Sequence, residues 1–158
     1  MRRRDALEVD FLDLRDVALP LCTGEPAQSE AERAAVNEAR QWVTNIEAML
    51  IASPVYNYSL SAALKNFIEW TGKAWQDKPV GFCCAAGGRS SYMAVMGLAN
   101  ALMLDFRCWV VPRFIYSSAE QVDPETGRLL DDQITGRIEM LCEDLIRIAD
   151  ALTTSPSI

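Results

Sequence analysis

The sequence predicts an α/β fold in which a parallel sheet lies between two layers of helices. Short apolar segments of strand length alternate with longer segments whose apolar residues recur at helical spacing. That alternation is typical of strand–helix–strand units, whose helices cover both faces of a parallel sheet. The chain has 158 residues, half of them hydrophobic, which suits one domain with a substantial core. We therefore expect residues 1–152 to form a single domain and residues 153–158 to be a loose tail.

The expected elements follow in strict alternation. The first strand, 7–14, alternates apolar and acidic side chains. The helix over 30–45 begins at a capping box formed by Ser29 and Glu32. A strand over 47–53 is apolar throughout, as expected for a strand that is covered on both faces. The remaining elements are a helix over 60–74, a strand over 79–86, a helix over 90–104, a strand over 107–112 and a helix over 131–152.

Composition narrows the classes of function. The formal net charge is −7, from 15 basic and 22 acidic side chains, which argues against a nucleic-acid partner. No apolar run approaches the roughly 18–20 residues of a membrane span, so we expect no membrane partner. Five cysteines without metal or thioredoxin spacing indicate buried thiols in a reducing cytoplasm. Adjacent Cys83 and Cys84 should point to opposite faces of their strand.

The chain contains no histidine. This excludes Ser-His-Asp and Cys-His catalysis and most zinc sites, so we expect no bound metal and no catalytic side chain of those kinds. An enzyme of this composition must take its chemistry from a cofactor that the protein binds and orients.

Two loops are candidates for a binding site. The first follows strand 47–53 at its carboxyl end, where open parallel sheets bind ligands. Its tyrosines and amide suit a flat ring that carries heteroatoms, and its members are Pro54, Val55, Tyr56, Asn57, Tyr58 and Ser59. The second loop follows strand 79–86 and contains Ala86, Gly87, Gly88 and Arg89.

A simpler interpretation exists for both loops. Pro54, Tyr56 and Asn57 are also suited to a tight turn. Gly87 and Gly88 suit a turn that needs positive φ, and Arg89 is equally well a surface charge. Ser90 and Ser91 are expected to cap the following helix.

Three segments resemble the NADPH-dependent FMN reductase family, over about residues 6–152. One is the pattern Pro-x-Tyr-Asn followed by Leu-Lys-Asn-x-Ile-Glu-Trp, here Pro54 to Asn57 and Leu64 to Trp70. The others are the run 85–91, which contains two glycines, and the strand 106–112. The resemblance implies a flavodoxin-like three-layer sandwich with FMN bound by loop 54–59 and by residues 86–89.

The resemblance also implies an activity. It is that of an NAD(P)H-dependent oxidoreductase, in which hydride passes from NADPH or NADH to FMN and then to a flavin, quinone, azo compound or metal oxyanion. The partners would be a small-molecule electron acceptor and further copies of the chain. We expect a homodimer or homotetramer whose seam includes helices 60–74 and 90–104, near Trp70 and Trp75.

One part of the family pattern is absent from the sequence. The family begins with a strand and a Gly-Ser-x-Arg loop that holds the FMN phosphate, whereas this chain starts with Arg2, Arg3, Arg4 and Asp5, which resemble the tail of a helix. The N-terminal strand and its phosphate site are thus expected to be missing. Either the start lies further upstream or the loop is lost. In the second case the alternative is a non-catalytic structural or regulatory subunit that has lost FMN binding.

Overall fold

A mixed sheet of five strands forms the centre of the molecule. The structure is a computed structural model that describes residues 7–154. The expected helix tail at Arg2 to Asp5 and the last residues of the expected C-terminal tail, 155–158, lie outside this range. Strand β1 (Met49–Tyr56) runs parallel to β3 (Pro79–Ala86), with Met49 opposite Val80 and Pro54 opposite Ala85.

The other strands are short. Strands β4 (Trp109–Val110) and β5 (Ile115–Ser118) run parallel to β3 and pair with its beginning and its end. Strand β2 (Ser59–Leu60) pairs antiparallel with the end of β1.

Helices cover the sheet on two sides. Helices α1 (Glu30–Asn45), α2 (Ala62–Thr71) and α3 (Met96–Phe106) pack on the face that carries Ile51, Val80 and Phe82. Helix α4 (Asp132–Thr154) covers the opposite face through Leu141 and Leu145. Strands with helices on both faces confirm the predicted α/β fold. Cys83 and Cys84 belong to opposite faces, as expected.

The expected strand over 7–14 does not form; that prediction was wrong. Residues 7–13 have no regular secondary structure, and a turn follows, in which the backbone N–H of Asp16 donates to the carbonyl of Asp13. A strand needs a neighbour for its backbone hydrogen bonds, and none of the described strands pairs with this segment. The side chains of residues 7–11 are consequently exposed, with Phe11 at 88%, whereas Leu12 and Leu14 are half-buried against the main core cluster.

Other element boundaries also differ from expectation. The strand predicted over 107–112 is confined to β4, because Pro112 follows and has no N–H to donate. The chain then re-joins the edge of β3 as β5, between the predicted strand 107–112 and the predicted helix 131–152, where the sequence predicted no strand. The helix predicted over 90–104 begins only at Met96, after a series of turns, so the serines before it do not cap it.

The two tryptophans assigned to a subunit seam are buried inside the chain. Trp75 is 1% exposed, packs edge-on against Phe67, and donates through Nε1 to Thr71 Oγ1 at 2.6 Å. Trp70 is also buried and donates to the carbonyl of Pro20. Neither side chain is available for a contact between subunits, so this argument for the seam was wrong.

Candidate functional site

Three chain segments meet at the carboxyl edge of the sheet. They follow β1, β3 and β5, and the strand register places Pro54 beside Ala85 and Ala86 beside Ser118. The two predicted loops are therefore neighbours, and the turn after β5 lies on the far side of the second loop. This edge is where open α/β sheets bind ligands.

The first predicted loop is a β-hairpin. Strand β1 continues to Tyr56, three residues beyond its expected end, and returns as β2. Asn57 and Tyr58 occupy the turn with φ of 50° and 61°. Positive φ at both central residues is the signature of a type I′ hairpin turn, in which asparagine is favoured and tyrosine is strained. The tight-turn interpretation is thus correct for the backbone.

The hairpin presents its side chains to solvent. Tyr56 and Tyr58 are 62% and 57% exposed, and Asn57 and Ser59 are exposed beside them. Pro54 and Val55 are half-buried at the base. Two aromatic rings and an amide at an open edge form a surface on which a planar ring can stack and be hydrogen-bonded.

Serine hydroxyls fix the base of the hairpin to helix α2. The hydroxyl of Ser53 accepts a hydrogen bond from the backbone N–H of Ser61 at 3.2 Å. Ser61 is the N-cap of α2, and its hydroxyl accepts from the N–H of Leu64. The turn that carries Asn57 is consequently held between a sheet strand and a capped helix.

The second predicted loop, 86–91, does not use its glycines for positive φ. Neither Gly87 nor Gly88 has φ in the left-handed range, which corrects that interpretation. A Cβ built on either residue would meet nothing within 4 Å. The packing of residues 7–154 therefore does not require glycine here, and within that range the backbone of the loop is open to a molecule from outside.

Contacts from the β5 side hold this loop. The Tyr116 hydroxyl donates to the carbonyl of Gly88 at 2.6 Å and lies 2.8 Å from Ser91 Oγ. Arg89 forms an ion pair with Glu120 at 2.9 Å, with both side chains about three-quarters exposed. The surface-charge interpretation of Arg89 agrees with this pairing. The sequence analysis does not identify Tyr116, because it predicts no strand between 112 and 131. The segment Ile-Tyr-Ser-Ser at 115–118 is the signal that indicates a strand there.

The residues of the Leu-Lys-Asn-x-Ile-Glu-Trp motif have structural contacts in this chain. The Asn66 side chain donates to the carbonyl of Pro20 at 3.0 Å and accepts from the N–H of Cys22 at 2.8 Å. Lys65 and Glu69 form an ion pair one helical turn apart on the exposed face of α2. The motif thus fastens the segment before α1 to α2, away from the hairpin tip.

The described residues include no metal-binding cluster, and two adjacent thiols of β3 are protonated. Among residues 7–154, no group of three or more His, Cys, Asp or Glu side chains is placed to hold a metal ion. Burial raises the pKa of Cys83 and of Cys84 to about 11, so both are protonated thiols near neutral pH. Within the same residues, no helix is both long and apolar enough to cross a membrane.

Cavity size alone does not locate the site. The larger cavity, about 590 Å³, lies at the opposite end of the sheet beside Arg40, Lys73 and Lys78. Its cations serve helix ends there: Lys78 Nζ donates to the carbonyl of Ile46 after α1, and Arg40 donates to that of Trp70 in α2. A smaller cavity of about 340 Å³ adjoins the glycine loop, between the ends of β3 and β5. The carboxyl edge has the exposed aromatic rings and open backbone, so we assign the site there.

Comparison with known proteins identifies the family. Residues 1–123 match the family model described as NADPH-dependent FMN reductase. The chain belongs to the NADPH-dependent FMN reductase family. The predicted resemblance is confirmed, and with it an oxidoreductase family whose cofactors are FMN and NAD(P)H.

Individual relatives agree with this assignment. The chain is 32% identical over 117 residues to an NAD(P)H-dependent FMN reductase of Pseudomonas aeruginosa, covering 70% of this chain and 63% of that protein. It is 22% identical to an NAD(P)H-dependent FAD/FMN reductase of Geobacillus thermodenitrificans, covering 90% and 76%. An NADPH:quinone oxidoreductase of Arabidopsis thaliana is 28% identical, with 85% and 71% covered.

Solved structures confirm the flavodoxin-like fold. A flavoenzyme NAD(P)H:acceptor oxidoreductase of Paracoccus denitrificans superposes with a TM-score of 0.61 at 21% identity, covering 90% of this chain and 79% of that one. The chain spans less than two thirds of some relatives, such as the Pseudomonas enzyme.

Proposed function

We propose that this protein binds FMN at the carboxyl edge of the sheet and transfers hydride from NADPH or NADH to a small-molecule acceptor. The binding residues are those of the hairpin, 54–59, together with Ala86, Gly87, Gly88 and Arg89. Relatives named as FMN reductases and quinone reductases support a flavin or quinone as the acceptor. Azo compounds and metal oxyanions are further acceptor classes for the same chemistry.

The observation that carries the proposal is the pair of open glycines next to exposed tyrosines. Gly87 and Gly88 have neither left-handed φ nor a neighbour that a Cβ would strike. A methyl-free backbone in that position allows a flat ring to approach peptide N–H groups closely. Tyr56 and Tyr58 are exposed on the hairpin that follows the adjacent strand β1.

Each part of the site has a separate task. The tyrosine rings offer stacking surface, and the Asn57 amide offers both a donor and an acceptor to the ring's polar edge. FMN supplies the hydride chemistry when it is bound, so the protein needs to bind, orient and shield rather than to transfer protons. The absence of histidine from the chain agrees with this division.

The proposal also covers the domain organisation, the location and the oligomeric state of the protein. We propose that residues 1–152 act as a single cytoplasmic domain and that the protein works as a homodimer or homotetramer. Exposed apolar side chains on α3, Met103 and Leu104, are the residues that support self-association. Light scattering at micromolar concentration tests this, and a monomer would contradict it.

A second candidate function comes from the phosphate of FMN. The proposed site contains one cation, Arg89, and it already pairs with Glu120. A phosphate without charge-assisted partners loses much of its binding energy. A non-catalytic structural or regulatory subunit without FMN is therefore the alternative, and FMN binding discriminates between the two.

The test is an FMN titration of the parent and of matched glycine variants. Gly88→Ala should weaken FMN binding about tenfold or more, because a forced methyl overlap costs about 1–3 kcal/mol. Its melting temperature should not fall, since the new Cβ meets nothing within 4 Å in the free protein.

A control variant and a second site variant accompany Gly88→Ala in the titration. Gly136→Ala adds a methyl group in helix α4, where the Cβ also meets nothing, and should leave FMN affinity unchanged. Asn57→Gly keeps the left-handed turn and removes only the amide, so it should weaken FMN binding without unfolding the hairpin. Parental affinity in both Gly88→Ala and Asn57→Gly would show that the site is wrong.

A further inference from the structure

We propose that Tyr116 is a positioning residue that orients the Gly88–Arg89 peptide of the FMN site. This rests on the proposed function and concerns a residue outside the two predicted loops. Tyr116 lies in β5, and its half-buried ring packs against the main core cluster. Its hydroxyl is therefore held in place by a packed residue of the sheet, while the loop that it contacts is exposed.

The direction of each hydrogen bond follows from the phenol having a single hydrogen. That hydrogen is donated to the Gly88 carbonyl at 2.6 Å. The phenol oxygen can then only accept from Ser91, whose hydroxyl lies 2.8 Å away. One side chain of β5 thus holds the loop at both ends of the four-residue span 88–91.

The geometry of the peptide bond shows how this contact affects the proposed FMN site. The peptide bonds of the described chain are trans, and in a trans peptide the C=O of one residue and the N–H of the next point in opposite directions. Since the Gly88 carbonyl points toward the Tyr116 hydroxyl, the Arg89 N–H points away from that hydroxyl. The loop that carries this N–H follows β3, next to the hairpin that follows β1. Tyr116 therefore fixes the direction of a backbone donor at the edge of the sheet that carries Tyr56.

The neighbouring ion pair cannot replace this contact. Arg89 and Glu120 are both mostly exposed, and such pairs contribute little and are screened by salt. Moreover, the pair joins the ends of two long side chains and leaves the peptide free to rotate. The Tyr116 hydroxyl acts on the peptide carbonyl itself.

The experiment compares FMN-loaded parent protein with Tyr116→Phe, which removes one oxygen and keeps the ring. We expect the dissociation constant for FMN to rise about three- to tenfold, the range for one lost hydrogen bond. The visible absorption bands of bound FMN should also shift, because a donor near the ring changes orientation. In the free protein, amide hydrogen exchange over residues 87–91 should become faster.

Two further variants distinguish a positioning role of Tyr116 from a general loss of protein stability. Ser91→Ala keeps the bond from Tyr116 to Gly88, so its effect on FMN affinity should be smaller than that of Tyr116→Phe. Thr44→Val removes a different hydroxyl-to-carbonyl hydrogen bond, from Thr44 to Arg40 on the exposed surface of α1, and should change neither affinity nor spectrum.

The outcomes are distinguishable. A Tyr116→Phe variant with parental FMN affinity and spectrum would overturn the inference while leaving the proposed function intact. The same effect from Thr44→Val would overturn it as well, since the cause would then be loss of stability. A parent protein that binds no FMN would refute the proposed function, and the inference with it.

Discussion

Strands β1 and β3 lie side by side in the sheet and differ in their strand pairing and in the burial of their side chains. β3 pairs with β1 on one edge and with β4 and β5 on the other, and most of its side chains are buried. Among the strands that the structure describes, β1 pairs along its length only with β3, and its last two residues also pair with β2. β3 is therefore the structural centre, whereas the end of β1 is free to form an exposed hairpin.

The difference in burial between the two strands is largest at one pair of residues that lie opposite each other. Gly81 of β3 lies opposite Leu50 of β1 on the face that α4 covers. A Cβ at Gly81 would come within 2.9 Å of Leu141 and 3.0 Å of Leu145. Leu50, one strand away on the same face, is 44% exposed. The sequence prediction that β1 is covered on both faces was therefore wrong, because α4 lies over β3.

The largest expected effect on stability comes from a substitution in β3. Phe82 is fully buried and packs against Phe114 with ring centroids 6.2 Å apart. Phe82→Ala should lower the free energy of unfolding by about 3–5 kcal/mol, and Leu50→Ala by about 1 kcal/mol. Urea denaturation measures both. Equal losses would contradict the difference in packing between the two strands.

A smaller effect is expected from adding one methyl group beneath α4. Gly81→Ala should destabilise the protein by about 1–3 kcal/mol, since the ends of two buried leucines must move. Gly136→Ala in α4 is the matched control and should be neutral or stabilising, because its Cβ meets nothing and alanine favours a helix. A stabilised Gly81→Ala variant would show that α4 packs less closely than the structure indicates.

The smallest effect concerns alkaline pH and involves two adjacent cysteines of β3. Burial raises the pKa of Cys83 and Cys84 from 9.0 to about 11. The folded state therefore holds these protons more tightly, so their stabilising contribution is complete below about pH 9 and is lost as pH rises to about 11. Between these limits the parent should lose more stability than the Cys83→Ala, Cys84→Ala double variant. Equal pH dependence in urea denaturation would contradict the assignment.

Much of the fold could be predicted from local pattern. The capping box at Ser29 and Glu32 forms as expected, and α2 ends at Gly72, which has positive φ. These features depend on neighbours within a few residues, so the sequence specifies them directly. Strand 7–14 depends instead on a hydrogen-bonding partner elsewhere, and its alternating pattern alone does not make it a strand.

The place of the hairpin in the fold could be predicted, whereas its local geometry could be predicted only in part. The position of the hairpin follows from the carboxyl end of β1, but its type I′ turn depends on Tyr58 accepting a strained φ. The contact of Tyr116 with Gly88 joins residues 28 positions apart, and no local pattern indicates it. Long-range contacts of this kind become visible only in the folded chain.

The central claim is that this chain carries FMN at the exposed end of β1 and passes electrons through it. The most direct measurement is an anaerobic titration of the FMN-loaded, gel-filtered protein with NADPH, followed by the visible absorption of the flavin, with free FMN as the control. We predict that FMN stays with the protein and that its absorption bleaches far faster than that of free FMN. A folded protein that retains no FMN, or one whose bound FMN stays oxidised with both NADPH and NADH, would contradict the account, and loss of FMN would favour the non-catalytic alternative.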